Sequence, residues 1–558
     1  DLKATGELFQ RMGRLQEFDL LAAAIDEYDI QVGHFVEECE AYVPEILACE
    51  RHLATAAIDH AYARCTRDAS AALVSGRIDE ADAVYADLEA KIEALDDDPN
   101  LVVLRKEVER RGLDHFVADR RGTITEIRRE LEAASAAERE GDLEAAARVY
   151  AQLVRKHWQI RFENVFTLPL DVTSVPTGAT VRVNGKPAGT TPCRVRYPWG
   201  SQTTLAVGAT GYETDTSVLQ TLEGVPTTTV TVHLGPSVRW SVEVGPTVEA
   251  RPLDVNGDVL ALDRSGRIAL YDGEDGAVVW ARHYRNLEGI RARPVMADGY
   301  LVVAYVDGQV LLLDPRDGTQ RGELKTGRTS GDLASIDGLT AILSSTGDLV
   351  TLRGTKLHKT IPLDVTPTAG VVGAHGSFWV GTARGQLIRI DPVSLQPNTM
   401  QLEGTEANVV GLSVTRSGLL VTTGDGRLFA LDAAGQKRWY KAGLGDLVGS
   451  AAQCGDRIAV CDRRGRMLLF DAATGDPRGA AEIGSEPRGG LLADDDVFVA
   501  LLRNGRLWIY DADAGVVRVD VPLGGRARFL PSILKSGRLA VTASGYRLAL
   551  MDVPRKPR

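Results

Sequence analysis

The feature of the sequence that most constrains its fold is a motif that returns eight times in the C-terminal half. Each copy is a glycine, a short apolar stretch and an end residue that is usually aspartate, as in residues 266–272 (GRIALYD). The end residues lie 38 to 42 positions apart and are Asp272, Asp314, Arg353, Asp391, Asp432, Asp471, Asp511 and Asp552. A period near 40 residues, with room for four short strands, is typical of propeller blades. The sequence therefore predicts an eight-bladed β-propeller over residues 236–554.

The last repeat is one strand short of a complete blade. It stops at Asp552, whereas residues 238–244 before the first repeat have strand character. Within that segment Trp240 is placed like Trp280 and Trp439, which occupy fourth strands. We expect this segment to pair with the last repeat, because that pairing removes an open sheet edge.

The aspartate that ends the motif has a local explanation. In segments such as residues 471–475, a carboxylate precedes a glycine by four positions, which is the pattern of a turn closed by backbone N–H bonds to the carboxylate. We interpret these acids as turn residues. The sequence contains no nucleophile–base pair, phosphate-binding loop or metal-ligand spacing. It therefore predicts no catalytic, cofactor-binding or metal-binding residue and no enzyme activity.

The repeats resemble those of the quinoprotein-type, or PQQ-like, propellers, as in residues 428–439 (LFALDAAGQKRW). That family includes quinone-dependent alcohol dehydrogenases and non-enzymatic binders such as the lipoprotein of the outer-membrane barrel-assembly machinery. The sequence departs from the dehydrogenases, since it has no adjacent cysteine pair, no long inserts and only three fourth-strand tryptophans. The resemblance therefore implies a binding protein without a cofactor.

Residues 169–235 have the composition of a small β domain, rich in Val, Thr, Gly and Pro. Asn184-Gly185 predicts a two-residue hairpin turn. Residues 175–186 (VPTGATVRVNGK) resemble the PEGA family, with Thr177 in place of that family's glutamate. The resemblance implies a non-catalytic, β-sandwich-like module of cell surfaces and envelope proteins.

Residues 1–165 are rich in Ala, Leu, Glu and Arg, which favours helices. A glycine between two apolar helical stretches recurs at Gly13, Gly76 and Gly141, and predicts the turns of helical hairpins. Residues 131–158 resemble a tetratricopeptide helix pair. Such hairpins can offer a groove for a peptide, and a plain helical spacer is the alternative. The whole chain is thus predicted to be a multidomain α + β protein.

Composition narrows the classes of partner. The 558-residue chain has a formal net charge of −12, which argues against nucleic acid and anionic membranes as partners. It has no apolar run of 18 residues, so we expect no direct membrane insertion by this segment. The six cysteines have no zinc-ligand spacing, and we interpret them as reduced, buried thiols.

Candidate binding residues lie at the predicted entrance of the propeller channel, fifteen positions before each motif glycine. Arg251 and Arg293 occupy this position on adjacent blades, each followed by proline. Arg488 and Arg528 lie two residues from it on two other blades. Four guanidiniums near one entrance of an acidic protein predict a site for protein partners with acidic peptides. Ordinary solvated surface charge is the alternative.

Three modules without catalytic motifs predict a non-enzymatic, multivalent protein-interaction scaffold that is bacterial and envelope-associated. The order of the modules also resembles the region attached to some bacterial membrane-anchored serine/threonine kinases. That resemblance implies a sensor whose kinase domain lies outside this chain, and a quinone-dependent dehydrogenase is a third alternative. Since the chain begins at Asp1 without methionine, we expect an upstream segment that makes it extracytoplasmic or membrane-associated. A cytoplasmic location stays open.

Overall fold

The structure, a computed structural model, describes residues 43–200, 202–219, 226–245, 248, 250–284, 289–290, 292–494, 496–524, 530–543 and 546–554. The chain forms two compact units. The first consists of residues up to Thr173 with residues 180–206 and 216–230. The second consists of residues 174–179, 207–215 and 231 onward.

The helices lie in the first unit, as the sequence predicts. They are α1 (Val43–Val74), α2 (Ile78–Ala94), α3 (Val102–Arg111), α4 (Leu113–Glu140) and α5 (Leu143–Lys156). Gly76 follows α1 and Gly141 follows α4, with φ angles of 76° and 87°. These left-handed values suit glycine, so the predicted hairpin turns are confirmed at both positions. The third predicted turn, at Gly13, lies outside the described residues.

Seven strands form the small β module. They are β1 (Thr167–Val175), β2 (Thr180–Val183), β3 (Lys186–Thr190), β4 (Cys193–Pro198), β5 (Thr203–Gly208), β6 (Asp215–Leu219) and β7 (Thr229–His233). Their two sheets have the strand orders β4-β1-β7 and β3-β2-β5-β6. Asn184 and Gly185 join β2 to β3 with positive φ angles of 51° and 76°, which confirms the predicted hairpin turn.

The rest of the second unit consists of four-stranded antiparallel sheets. We number them sheet 1 to sheet 8 in chain order. Sheets 1 to 4 contain β9 (Leu253–Val255), β10 (Asp258–Leu262), β11 (Arg267–Tyr271) and β12 (Val278–His283); β13 (Val295–Ala297), β14 (Tyr300–Ala304), β15 (Gln309–Leu313) and β16 (Gln320–Lys325); β17 (Ala334–Ile336), β18 (Leu339–Leu343), β19 (Asp348–Arg353) and β20 (Lys356–Pro362); and β21 (Val372–Ala374), β22 (Ser377–Gly381), β23 (Gln386–Ile390) and β24 (Pro397–Gln401).

Sheets 5 to 8 complete the series. Their strands are β25 (Val409–Thr415), β26 (Gly418–Thr423), β27 (Arg427–Asp432) and β28 (Lys437–Lys441); β29 (Ala452–Cys454), β30 (Arg457–Cys461), β31 (Arg466–Asp471) and β32 (Pro477–Glu482); β33 (Leu492–Asp494), β34 (Val497–Leu501), β35 (Arg506–Asp511) and β36 (Val516–Pro522); and β37 (Ser532–Ile533), β38 (Arg538–Ala543) and β39 (Arg547–Asp552) with β8 (Val238–Glu243).

Sheet 8 combines the two ends of the repeat region. Its fourth strand is β8, which pairs with β39 so that Trp240 lies opposite Leu550 and Glu243 opposite Arg547. The pairing predicted between residues 238–244 and the last repeat is therefore present. The glycine that begins this last motif, Gly545, lies outside the described residues.

Buried apolar side chains join successive sheets. Leu270 of sheet 1 and Leu301 of sheet 2 belong to one cluster. Further clusters join each following pair of sheets. Val259 of sheet 1 and Leu548 of sheet 8 belong to another. Strands covered on both faces read as continuous apolar runs, which is why the motif is apolar throughout.

The predicted turn role is confirmed at six of the seven motif aspartates, whereas Asp552 accepts the Nε–H of Arg239 at 2.8 Å. Asp272 Oδ1 accepts the backbone N–H of Glu274 at 2.7 Å, and Asp471 Oδ1 accepts that of Ala473 at 2.9 Å. The same bond to the residue two positions on forms at Asp314, Asp391, Asp432 and Asp511. The carboxylates are thus committed to the turns between third and fourth strands.

The described cysteines are free thiols, but not all of them are buried. Cys65, Cys454 and Cys461 are buried, whereas Cys49 is exposed and Cys193 is partly exposed. The prediction of buried thiols is therefore wrong for Cys49, which lies in the first turns of α1. Cys39 lies outside the described residues. No helix of the described part of the chain is long and apolar enough to cross a membrane.

Candidate functional site

The channel entrance is the set of residues just before the innermost strands of the sheets. Arg251, Arg293, Asp332, Gly370, Ser450, Gly490 and Leu530 lie two residues before these strands, and Gly411 lies inside β25. The sequence predicted them to begin the strands. Between sheets 6 and 7 the entrance backbone pairs across to the neighbouring sheet. Ser450 and Gly490 form a parallel bridge, and Leu491 donates its N–H to the Ser450 carbonyl at 3.1 Å.

Glycines form one part of the entrance. A Cβ added at Gly370 would lie 2.3 Å from the Asp332 nitrogen, and one at Gly490 would lie 2.3 Å from the Ser450 nitrogen. A Cβ at Gly411 would lie 2.3 Å from the Gly449 carbonyl oxygen. Here the backbones of neighbouring sheets touch, so no side chain fits between them.

Arginines form the other part. The Nε–H of Arg251 donates to Ser532 Oγ at 3.1 Å, and the hydroxyl of the fully buried Ser532 donates to the Pro252 carbonyl. Arg251, of sheet 1, is therefore held against sheet 8. Its terminal guanidinium nitrogens form no hydrogen bond to the described residues.

Arg293 lies in the same position on the adjacent sheet. Its backbone N–H donates to Asp332 Oδ1 at 2.9 Å. Its Nε atom is buried and has no hydrogen-bond partner among the described residues. Polar groups buried in this way are rare in folded proteins and call for an explanation.

Arg251 and Arg293 occupy equivalent positions on adjacent sheets, two residues before β9 and β13. Burial and, next, the positive charge of Arg293 lower the pKa of Arg251 to about 10, while Asp332 opposes that change. Burial also lowers the pKa of Arg293, opposed by Asp332 and Asp254. Both arginines remain charged at neutral pH, but in surroundings that hydrate them poorly.

The two nearby carboxylates are occupied elsewhere. Asp254 accepts the backbone N–H groups of Gly257 at 2.9 Å and Lys535 at 2.6 Å. Asp332 accepts the Arg293 backbone N–H. Within the described residues neither forms an ion pair with Arg251 or Arg293, so the guanidinium donors are left for another acceptor.

The other two candidate arginines do not join this pair in the described structure. The Nε of Arg488 is also buried without a partner, and its backbone N–H donates to the Leu501 carbonyl at 2.8 Å. Among the described residues, no hydrogen bond connects it with Arg251 or Arg293. Arg528 lies outside the described residues. The role of all four in binding stays a prediction.

A second concave surface lies in the first unit. A groove of about 230 Å³ has a floor of buried apolar residues that includes Tyr85, Ile124 and Ile127. Its rim includes Arg120 and Trp158, and Trp158 is 75% exposed. Sequence reasoning did not identify the residues of this groove, because they come from different helices.

The described residues contain no group of three His, Cys, Asp or Glu side chains placed to hold a metal ion. Two family models match parts of the chain. Residues 235–394 and 396–519 match the family model of the outer membrane protein assembly factor BamB. The chain belongs to the BamB family. Residues 167–237 match the PEGA domain, in agreement with the resemblance seen in the sequence.

Three solved structures are similar to part of this chain. BamB from Moraxella catarrhalis has 14% sequence identity and a TM-score of 0.50, covering 57% of this chain and 99% of its own. The designed protein Ika8 has 14% identity and a TM-score of 0.49, covering 57% and 99%. Sqt1 from Saccharomyces cerevisiae has 12% identity and a TM-score of 0.49, covering 56% and 98%. No curated protein is detectably similar in sequence.

Proposed function

We propose that this chain is a non-enzymatic protein-interaction scaffold of the bacterial envelope. The family that its repeat region matches is named for outer membrane protein assembly, and residues 167–237 match the PEGA domain. Neither that family nor the matched BamB structure is named for a kinase or a dehydrogenase. The proposed domain limits are residues 1–165, 169–235 and 236–554.

The binding platform is a single closed ring of eight blades, sheets 1 to 8. Its support is the unbroken series of apolar clusters between successive sheets, which includes sheet 8 with sheet 1. A ring presents one set of loops at each end of its channel. The end that carries the entrance arginines is the proposed partner-binding end.

One observation carries the choice of this end. Arg251 and Arg293 are poorly hydrated, lie on adjacent sheets and form no ion pair with the described residues. Charged groups in such positions normally have partners. A protein partner with acidic segments supplies them, as expected where charge complementarity gives specificity.

The test uses a photo-crosslinking amino acid in the full chain, expressed in its native host. Ser345 is exposed in the β18–β19 turn, at the same end as the entrance because β18 runs back toward it. Ser417, exposed in the β25–β26 turn, provides the matched position at the other end. We expect discrete protein adducts at Ser345 that disappear when Arg251→Gln and Arg293→Gln are combined. Equal adducts with and without the arginines would refute the proposed binding end.

A further inference from the structure

The entrance arginines lack an obvious structural purpose. Arg251 bonds Ser532 through Nε alone, and the Arg293 guanidinium forms no hydrogen bond to the described residues. An unsatisfied buried donor costs free energy, and a charged donor costs more. Apart from the Arg251 bond to Ser532, no side-chain hydrogen bond or ion pair of either arginine with the described residues offsets that cost.

We propose that Arg251 and Arg293 form a carboxylate-binding site, and that its ligand is a single acidic side chain of a protein partner. This inference rests on the proposed function and specifies the chemistry at its binding end. A guanidinium presents parallel N–H donors in a plane, which matches the two oxygens of a carboxylate. The terminal guanidinium nitrogens of Arg251 and Arg293 supply such donors.

The surroundings favour one negative charge over several. Asp332 and Asp254 lie close enough to oppose the effect of burial on the Arg293 pKa. They therefore weaken the positive potential of the site and would repel a phosphate dianion more than a carboxylate. The net charge of −12 also disfavours non-specific attraction of polyanions, so any binding of an acidic peptide has to be local.

The experiment measures fluorescence anisotropy of labelled hexaglutamate and hexaglutamine peptides with the full chain. The variant combines Arg251→Gln with Arg293→Gln. A matched control combines Arg416→Gln with Arg438→Gln. Both arginines are exposed and belong to sheet 5, Arg416 in the β25–β26 turn and Arg438 on β28. This control lowers the net charge equally but leaves the entrance intact.

We expect wild type to bind hexaglutamate and not hexaglutamine. The entrance variant should lose at least about tenfold in affinity, as for a buried charged contact. The control should change affinity by less than about threefold, because exposed charges contribute little. Equal affinity of the entrance variant and wild type for hexaglutamate, or no binding by wild type, would overturn the proposal.

Two further arms identify the source of the carboxylate. Displacement of hexaglutamate by millimolar sodium glutarate, but not by phosphate at equal ionic strength, supports a carboxylate site. If phosphate displaces hexaglutamate at a lower concentration than glutarate does, the proposed selectivity for carboxylate is wrong. Glutarate that binds more tightly than hexaglutamate would show that a free dicarboxylate, and not a protein side chain, is the ligand, and would overturn that part.

Thermal melting separates binding from a structural role. Because no ion pair is lost and the glutamine amide N–H can replace the Arg251 Nε–H bond to Ser532, the unliganded entrance variant should melt no lower than wild type. Hexaglutamate should raise the melting temperature of wild type alone. A variant that melts lower and still binds would make the arginines structural. Persistent, arginine-dependent crosslinks at Ser345 without hexaglutamate binding would overturn this inference and leave the scaffold function standing.

Discussion

Truncating Trp240 tests how sheet 8 is held to sheet 1. Trp240 lies on β8, opposite Leu550 of β39, and its side chain is 7% exposed. A Cβ added at Gly276 of sheet 1 would lie 2.7 Å from its ring, so the indole packs directly on that glycine. Trp240→Ala therefore removes contacts on both sides of the junction between the chain's first and last repeat strands.

The expected loss of stability follows from the burial of Trp240 and from the lack of a hydrogen bond by its indole N–H to the described residues. Trp280 and Trp439 donate their indole N–H to the Pro315 and Ala472 carbonyls, at 2.8 and 3.2 Å. The Trp240 N–H has no partner among the described residues. The loss is thus one of packing, about 3–5 kcal/mol for a buried tryptophan.

The backbone carbonyl that corresponds to the acceptor of Trp280 accepts an arginine in this sheet instead of Trp240. Gly273 follows Asp272 as Pro315 follows Asp314, and its carbonyl accepts Arg538 Nη1 at 2.9 Å. Arg538 also forms two hydrogen bonds with Glu274. These contacts survive in Trp240→Ala, so we expect local opening of the junction and not unfolding of the repeat region.

Hydrogen exchange with mass spectrometry measures that opening directly. Protection should fall by roughly 100- to 4000-fold in β8, β39 and sheet 1, since 1.4 kcal/mol corresponds to a factor of ten. Sheets 3 and 4 should be unaffected. Trp439→Ala is the matched control, and it should raise exchange in sheets 5 and 6 instead. If Trp240→Ala leaves β39 protected, or raises exchange uniformly, the junction is not held as described.

Three other perturbations give measurable outcomes. Arg518→Ala removes the guanidinium that bonds Asp511, a residue that is 2% exposed. The free energy of unfolding in urea should fall by about 3–5 kcal/mol. An unchanged urea midpoint would contradict a buried ion pair. Hydrogen bonds from Arg110, and then from Arg111, hold the pKa of Glu107 at about 2, from its usual 4.5. Because this folded pKa is depressed, the stabilisation is present above pH 4.5 and is lost as the pH falls toward 2. The melting temperature of wild type, followed by helical ellipticity, should therefore fall over that window. The melting temperature of Glu107→Gln should depend less on pH. Pyrroloquinoline quinone with calcium should neither bind stoichiometrically to the full chain nor support alcohol oxidation, and calcium-dependent oxidation would refute the non-enzymatic function.

Much of the repeat region could be predicted because its signals are local. The motif glycines, the apolar strands and the turn aspartates lie within a few residues of each other, and their hydrogen bonds form within that span, as at Asp471. The missing strand of the last repeat was predictable for a related reason. Each blade needs four strands, and only residues 238–244 could supply the fourth.

The candidate site was predictable only in part. Counting from the motif glycines placed Arg251 and Arg293 at equivalent positions on adjacent sheets, which the structure brings together. The same counting grouped Arg488 with them, but equivalent positions in a repeat need not be neighbours when another sheet intervenes. The bond from Arg251 to Ser532 joins residues 281 positions apart and has no local signal.

The sequence by itself determined the repeat period, the number of strands per repeat, the turn chemistry and the absence of recognisable catalytic motifs, because these depend on neighbouring residues. The tertiary structure decided which donors were satisfied. Asp254 and Asp332 are near enough to oppose the lowering of the Arg293 pKa, but they bond backbone N–H groups, that of Lys535 among them. Whether a buried charge has a partner depends on packing between sheets, and that is fixed only when distant parts of the chain meet.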